Sequence, residues 1–187
     1  MNEEVEMIQM DTEERMHKSL KHLESELARI RAGRANINMF DGIMVDYYGS
    51  PTPLNQVSSI NVPDARTLAI QPWEKTMIEP IEKAILAANL GITPQNNGEI
   101  IRINIPMLTE DRRKELVKQV KTEGENAKIS IRNIRREAND MLKSLLKSGL
   151  SEDLQKDAEH TVQVLTDKSI KQVDEILDAK EKDIMTV

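Results

Sequence analysis

The stretch SIRNIRREANDM, residues 130–141, places Arg132, Arg135 and Arg136 within five residues. A guanidinium group offers a planar fork that grips phosphate through two parallel hydrogen bonds and stacks on exposed bases. The chemistry such a cluster could do is therefore the binding of a polyanion. The chain as a whole is acidic, with a formal net charge of −6, so a local excess of cations is informative. Residues 112–147 hold eleven Lys or Arg and five Asp or Glu, a net of +6 that leaves −12 for the remainder. At about 100° per helical residue, Lys114, Lys118, Lys121, Lys128, Arg132, Arg135, Arg136, Lys143 and Lys147 share one arc roughly 120° wide, beside an apolar seam. Glu125 is the one acid inside that arc. Arg135 lies nearest the seam, so packing could hold its stem and orient its head.

Two readings of this ridge compete. A continuous basic ridge several turns long matches a phosphate backbone. Charge runs on helices are also commonly solvated faces paired to acids three or four residues away. Asp140 is placed to pair with Arg136 or Lys143, whereas Arg132 and Arg135 have no acid at either spacing. Composition alone leaves both an RNA-binding ridge and a protein-facing one open, the latter making the chain a helical adaptor that docks an acidic protein. RNA would be read by shape and backbone, because the flanking helices carry no aromatic stacking platform.

Catalysis has little to work with. No Gly-rich phosphate loop, H-E-x-x-H or G-x-S-x-G motif occurs. The chain has no cysteine, which excludes disulfides and thiolate metal sites. His17 and His22 are five apart, a poor spacing for shared metal ligation, and read as solvated. No catalytic residue, metal ligand or cofactor is assigned. The N-terminus lacks the character of a signal peptide, and no apolar run approaches the roughly 20 residues of a membrane helix. These features point to a cytoplasmic protein with no membrane contact.

All seven prolines, and Phe40, Tyr47, Tyr48 and Trp73, lie between residues 40 and 106. Proline breaks helices and aromatics favour sheets. The middle therefore reads as a small β/α/β domain inserted into an all-helical one, an α+β class overall. Met16, Leu20, Leu23, Leu27 and Ile30 form a helical seam in the first flank. Val117, Val120, Gly124, Ala127, Ile131, Ile134, Ala138, Met141 and Leu145 form another, on which Gly124 would let a neighbouring helix approach closely. Gly149 ends that helix, and Ser151 caps a third whose face is Leu154, Ala158, Val162, Leu165, Ile170, Val173, Leu177 and Ile184. An antiparallel, up-down-up three-helix bundle follows. In the insert, residues 67–70 and 101–105 alternate as strands, with Asn97-Gly98 as a tight turn. A helix over about residues 77–90 starts either at a Thr76–Glu79 capping box or with Pro80 in its first turn. The bundle spans 1–30 plus 107–187 and the insert 31–106. The chain crosses between them near 31–36 and 104–108, where Gly33, Ala35, Ile105 and Pro106 are hinge candidates.

Blocks of sequence add a resemblance. RAGRAN (31–36), DGIMVDYYGSPTPLNQ (41–56), VPDARTLAIQPW (62–73), IEKAI (81–85), LGITP (90–94), LTEDRRKELVKQVK (108–121), IRNIRREAND (131–140) and LTDK (165–168), in that order, resemble the ribosome recycling factor family. The resemblance implies an L-shaped molecule, similar in outline to transfer RNA and monomeric. It implies binding to the post-termination ribosome and, with elongation factor G and GTP, dissociation into subunits with release of messenger and transfer RNA. It places the contacts to large-subunit ribosomal RNA on Arg135 first, with Arg132 and Arg136, then Arg113, then Arg31 and Arg34, with Arg29, Lys121 and Lys128 as further contacts. Glu110-Asp111 stands where the family has two glutamates.

Overall fold

Helix α1 (Asn2–Arg29), helix α4 (Glu110–Lys147) and helix α5 (Glu152–Met185) account for the two proline-free flanks. The structure is a computed structural model and describes residues 2–30 and 33–186. It divides into two compact units, Met1–Ala32 with Thr109–Val187, and Gly33–Leu108.

The first unit is a three-helix bundle. Arg15 Nη2 donates to Glu137 Oε2 at 2.6 Å, and Ser19 and Ser130 share a hydroxyl–hydroxyl hydrogen bond at 3.0 Å. Rising numbers on α1 thus meet falling numbers on α4, so the two are antiparallel. Lys128 Nζ pairs with Asp174 Oδ1 at 2.7 Å, and Arg135 meets Gln163, which makes α4 and α5 antiparallel as well. Met16, Leu23, Val120, Ile131, Ala138, Val162, Val173 and Ile184 are buried along the shared axis. Two expected seam residues depart from this core. Met141 is exposed and Leu142 is fully buried in its place, packed with Ala138, Ala158 and Val162 and covered by Val5 and Ile8 of α1. A seam that alternates steps of three and four has two admissible positions at each turn, and the partner helices decide between them. Leu154, in the first turn of α5, is exposed, while Gln155 beside it is buried and donates to Glu159.

Both ends of the α4–α5 connection are capped. Gly149, at φ +105°, turns the chain, with Gly149 N donating to Leu146 O and Leu150 N to Leu145 O. That pair of bonds is a Schellman ending, which satisfies carbonyls the helix leaves over. Ser151 Oγ then accepts from Leu154 N at 3.3 Å, and Glu152 and Asp153 sit at the positive end of α5.

The second unit holds the sheets. Strands β1 (Met44–Tyr47) and β2 (Ser50–Pro53) form a hairpin around Tyr48 and Gly49, both at positive φ. A single helical turn, α2 (Leu54–Val57), leads into β3 (Ser58–Asp64) and β4 (Thr67–Pro72). Helix α3 (Ile78–Ala87) follows, then β5 (Pro94–Asn96) and β6 (Ile101–Asn104). The four-stranded sheet is antiparallel in the order β3-β4-β6-β5. Pro63 and Pro94 both fall on its edge strands, where a missing donor costs no ladder bond. Leu68, Ile70, Ile101 and Ile103 point into a core closed by Ile81 and Ile85 of α3. The Asn97-Gly98 turn joins β5 to β6, with Asn97 Oδ1 accepting from Glu99 N and Ile100 N. Helix α3 starts without a Thr76 side-chain cap. Its N-cap is Met77, which places Pro80 in the first turn, where its absent N–H removes a donor that would have needed a partner.

Candidate nucleic-acid interface

The basic ridge is carried by α4, whose start is fixed by Thr109. Its side chain accepts from Arg112 N at 3.2 Å, and Glu110 and Asp111 occupy the first turn. The helix then runs for 38 residues, about 57 Å, without a proline. Arg113, Lys121, Lys128, Arg132, Arg135 and Arg136 therefore share one continuous scaffold. Arg113 stands about 35 Å along the axis from Arg136, and Lys121 about 22 Å.

Three acids of α4 are paired with cations outside the arginine cluster. Glu110 pairs with Lys114 at 3.1 Å and Glu115 with Arg112 at 2.9 Å, both in the first turns of the helix. Glu137 turns to α1, where it holds Arg15. Asp140 pairs with neither Arg136 nor Lys143 among the described residues, so the local-pairing account of the ridge does not hold there. Arg132 and Arg136 are exposed and, like Arg113 and Lys121, have no side-chain partner among the described residues.

Two cations of the cluster face α5, and they are treated differently. Lys128 is largely buried, 18% exposed, and its ammonium is matched by the Asp174 carboxylate. Arg135 is half-buried and donates from Nη1 to the neutral amide oxygen of Gln163 at 3.5 Å. Gln163 in turn donates from Nε2 to Asp167 Oδ1 at 2.8 Å. Lys128, expected as a further RNA contact, is thus tied to α5 by an ion pair, unlike Arg132 and Arg136. Gln163 and Asp167 are not marked out by the sequence; their four-residue spacing is visible there, but nothing local ties them to Arg135.

The other expected contacts lie elsewhere. Arg29 is exposed in the last turn of α1 and pairs with Glu26 at 3.4 Å. Arg34 is exposed and belongs to the second unit. Arg31 lies outside the described residues. No group of three or more His, Cys, Asp or Glu side chains able to hold a metal occurs among the described residues. No described helix is long and apolar enough to cross a membrane.

The α4 edge thus carries arginines without a side-chain partner among the described residues, inside an acidic chain, and comparison with known proteins gives the family. The sequence profile described as "Ribosome recycling factor" matches residues 23–185. The chain belongs to the ribosome recycling factor family. It is 56% identical over 187 residues, covering all of both chains, to the ribosome-recycling factor of Flavobacterium johnsoniae. Identity to the ribosome-recycling factor of Staphylococcus epidermidis is 57% over 178 residues, 95% of this chain and 97% of the relative. Among solved structures, the solution structure of a ribosome recycling factor aligns with a TM-score of 0.79 at 40% identity, over 98% of each chain. A T. thermophilus ribosome recycling factor, placed with E. coli elongation factor G on the E. coli post-termination complex, aligns with a TM-score of 0.64 at 44% identity, over 97% of this chain and 99% of that one. The family profile starts at residue 23, whereas the similarity to the Flavobacterium relative runs through the whole of α1.

Proposed function

We propose that this ribosome recycling factor family member binds the post-termination ribosome by laying the α4 ridge on large-subunit ribosomal RNA. With elongation factor G and GTP it then promotes dissociation into subunits and release of messenger and transfer RNA. The observation that carries the RNA contact is the pair of exposed arginines, Arg132 and Arg136, without a side-chain partner among the described residues and flanking a half-buried Arg135. Each such cation displaces a condensed counterion from the RNA, so attachment is strong and salt-dependent. Arg113 and Lys121 extend the ridge toward the start of α4, and Arg29, Arg31 and Arg34 contribute near the chain crossings.

The chain has no nucleotide-binding loop, so the free energy for splitting comes from the partner GTPase. This protein supplies grip and shape, works as a monomer in the cytoplasm, and catalyses no bond-breaking step. Movement of the inserted domain is accommodated at Gly33, Ala35, Ile105 and Pro106. Gly33 has φ +72°, and Pro106 contributes no backbone donor. Ala35 N donates to Ala65 O and Ile105 N to Arg66 O, each at 2.8 Å. Both crossings are thus hydrogen-bonded to the same turn of the inserted domain.

The test is co-sedimentation with ribosomes across a salt series, together with a subunit-splitting assay in which elongation factor G or GTP is omitted in turn. Arg135→Ala should weaken ribosome binding and splitting while leaving helix content unchanged. Unaltered affinity at every salt concentration would reject the assignment, and splitting by this chain without its partner would reject the division of labour.

A further inference from the structure

We infer that Gln163 of α5 is a positioning residue for Arg135, and that its neutral amide is what leaves the arginine charge available to a phosphate. The inference rests on the reading of the α4 ridge as the RNA-binding surface and deepens it.

Gln163 carries one acceptor and two donors on a single rotatable plane. Its Nε2 donates to Asp167 Oδ1 at 2.8 Å, and a carboxylate can only accept, so that bond fixes which way the plane faces. The acceptor Oε1 is then turned to α4, where Arg135 Nη1 meets it at 3.5 Å. Arg135 is held at its stem by burial and at its head by this long hydrogen bond, and most of its five N–H donors remain for a ligand.

Lys128, two turns earlier on the same helix, provides the contrast. It also faces α5, but meets the Asp174 carboxylate directly at 2.7 Å. A direct ion pair fixes a cation and cancels its charge together. Placing an amide between Arg135 and Asp167 separates the two effects, so the side chain is ordered and the charge stays uncompensated. Arg132 and Arg136 show a different combination, since among the described residues they are uncompensated but unheld. An arginine ordered in advance loses less conformational freedom when it binds. Arg135 should therefore contribute most to affinity per charge, Arg132 and Arg136 less, and Lys128 least.

The experiment measures the affinity of the full-length protein for ribosomes by co-sedimentation between roughly 50 and 200 mM salt. Gln163→Met keeps the length of the side chain and removes the acceptor. It should raise Kd about 2- to 10-fold with the slope of log affinity against log salt unchanged, because no charge is lost. Gln163→Glu is made together with Asp167→Asn, which avoids two carboxylates four residues apart. It should weaken binding further and make the slope shallower by about one, because the new carboxylate sets a full negative charge against the Arg135 guanidinium. Helix content and melting temperature should match the parent for both, which separates positioning from damage to the bundle. Parent-like affinity and slope for both variants, alongside weakened binding by Arg135→Ala, would overturn the positioning role and leave the ridge intact. Parent-like binding by Arg135→Ala as well would overturn the ridge, and the role of Gln163 with it.

Discussion

The side chain of Leu177 on α5 lies directly over the bare Cα of Gly124 on α4, in the space a Cβ would need. Gly124 is buried, and the two helices approach there without an intervening side chain on α4. The same pair of helices carries the Lys128–Asp174 ion pair and the Arg135–Gln163–Asp167 chain, so this contact helps set the spacing on which both depend.

Gly124→Ala should therefore destabilise the bundle. Overpacking costs about 1–3 kcal/mol, and the better helix propensity of Ala returns about 1 kcal/mol. A net loss between about 0 and 2 kcal/mol is expected in urea unfolding followed by circular dichroism. A variant more stable than the parent would mean that α4 and α5 do not meet at this glycine.

Lys128 and Asp174 should behave as a structural pair. Asp174 is 54% exposed, so solvent screening limits the coupling to about 0.5–1 kcal/mol in a double-mutant cycle. Lys128→Ala should leave the salt slope of ribosome binding nearly unchanged, whereas Arg132→Ala should make it shallower by about one. Equal slope changes for the two would show that Lys128 meets the RNA after all.

Tyr47 should titrate late. Its hydroxyl donates to Glu74 Oε1 at 3.0 Å, and that hydrogen bond, followed by the carboxylate charge, raises the phenol above its ordinary value near 10. The fold favours the protonated phenol. Its contribution to stability is complete below a pH of about 10 and is lost as pH rises through the folded value. In a Tyr48→Phe background, the phenolate absorbance should appear at higher pH than in the unfolded chain, and Glu74→Gln should bring it down. A midpoint unaffected by Glu74→Gln would exclude the carboxylate as the cause.

Gly33→Ala should strain the first crossing. Gly33 has φ +72°, and an added Cβ would sit 2.7 Å from Leu108 Cγ. A left-handed non-glycine residue costs about 1 kcal/mol, and the overlap with Leu108 adds to it. Stability should fall by about 1–3 kcal/mol. If the crossing flexes during recycling, splitting with elongation factor G and GTP should slow while ribosome affinity holds. Unchanged splitting would count against movement at Gly33.

Much of this architecture is legible in local pattern. Proline and aromatic residues are confined to one interval because the three long helices admit no proline, and the bundle core needs only aliphatic knobs. The Gly149–Ser151 junction and the Asn97-Gly98 turn can be read because their chemistry is local. The β1–β2 hairpin escapes such a reading, since Tyr48-Gly49 puts an aromatic at a position where Asn or Asp is the familiar signal. Leu142 in place of Met141 depends on where α1 and α5 lie, which periodicity along one helix does not record. The same limit applies to the ridge. Spacing shows that Arg132 and Arg135 have no acid on their own helix, but only the fold shows that Arg135 meets Gln163 while Lys128 meets Asp174.

Trp73 is the chain's one tryptophan, and it lies 67% exposed in the unit that also holds both tyrosines and the phenylalanine. The helical bundle is thus dark in the near ultraviolet. Intrinsic fluorescence will follow the loss of the inserted domain alone, while far-ultraviolet ellipticity is dominated by the three long helices. Two denaturation curves recorded on one sample therefore report two different bodies, and any gap between their midpoints measures how independently those bodies melt.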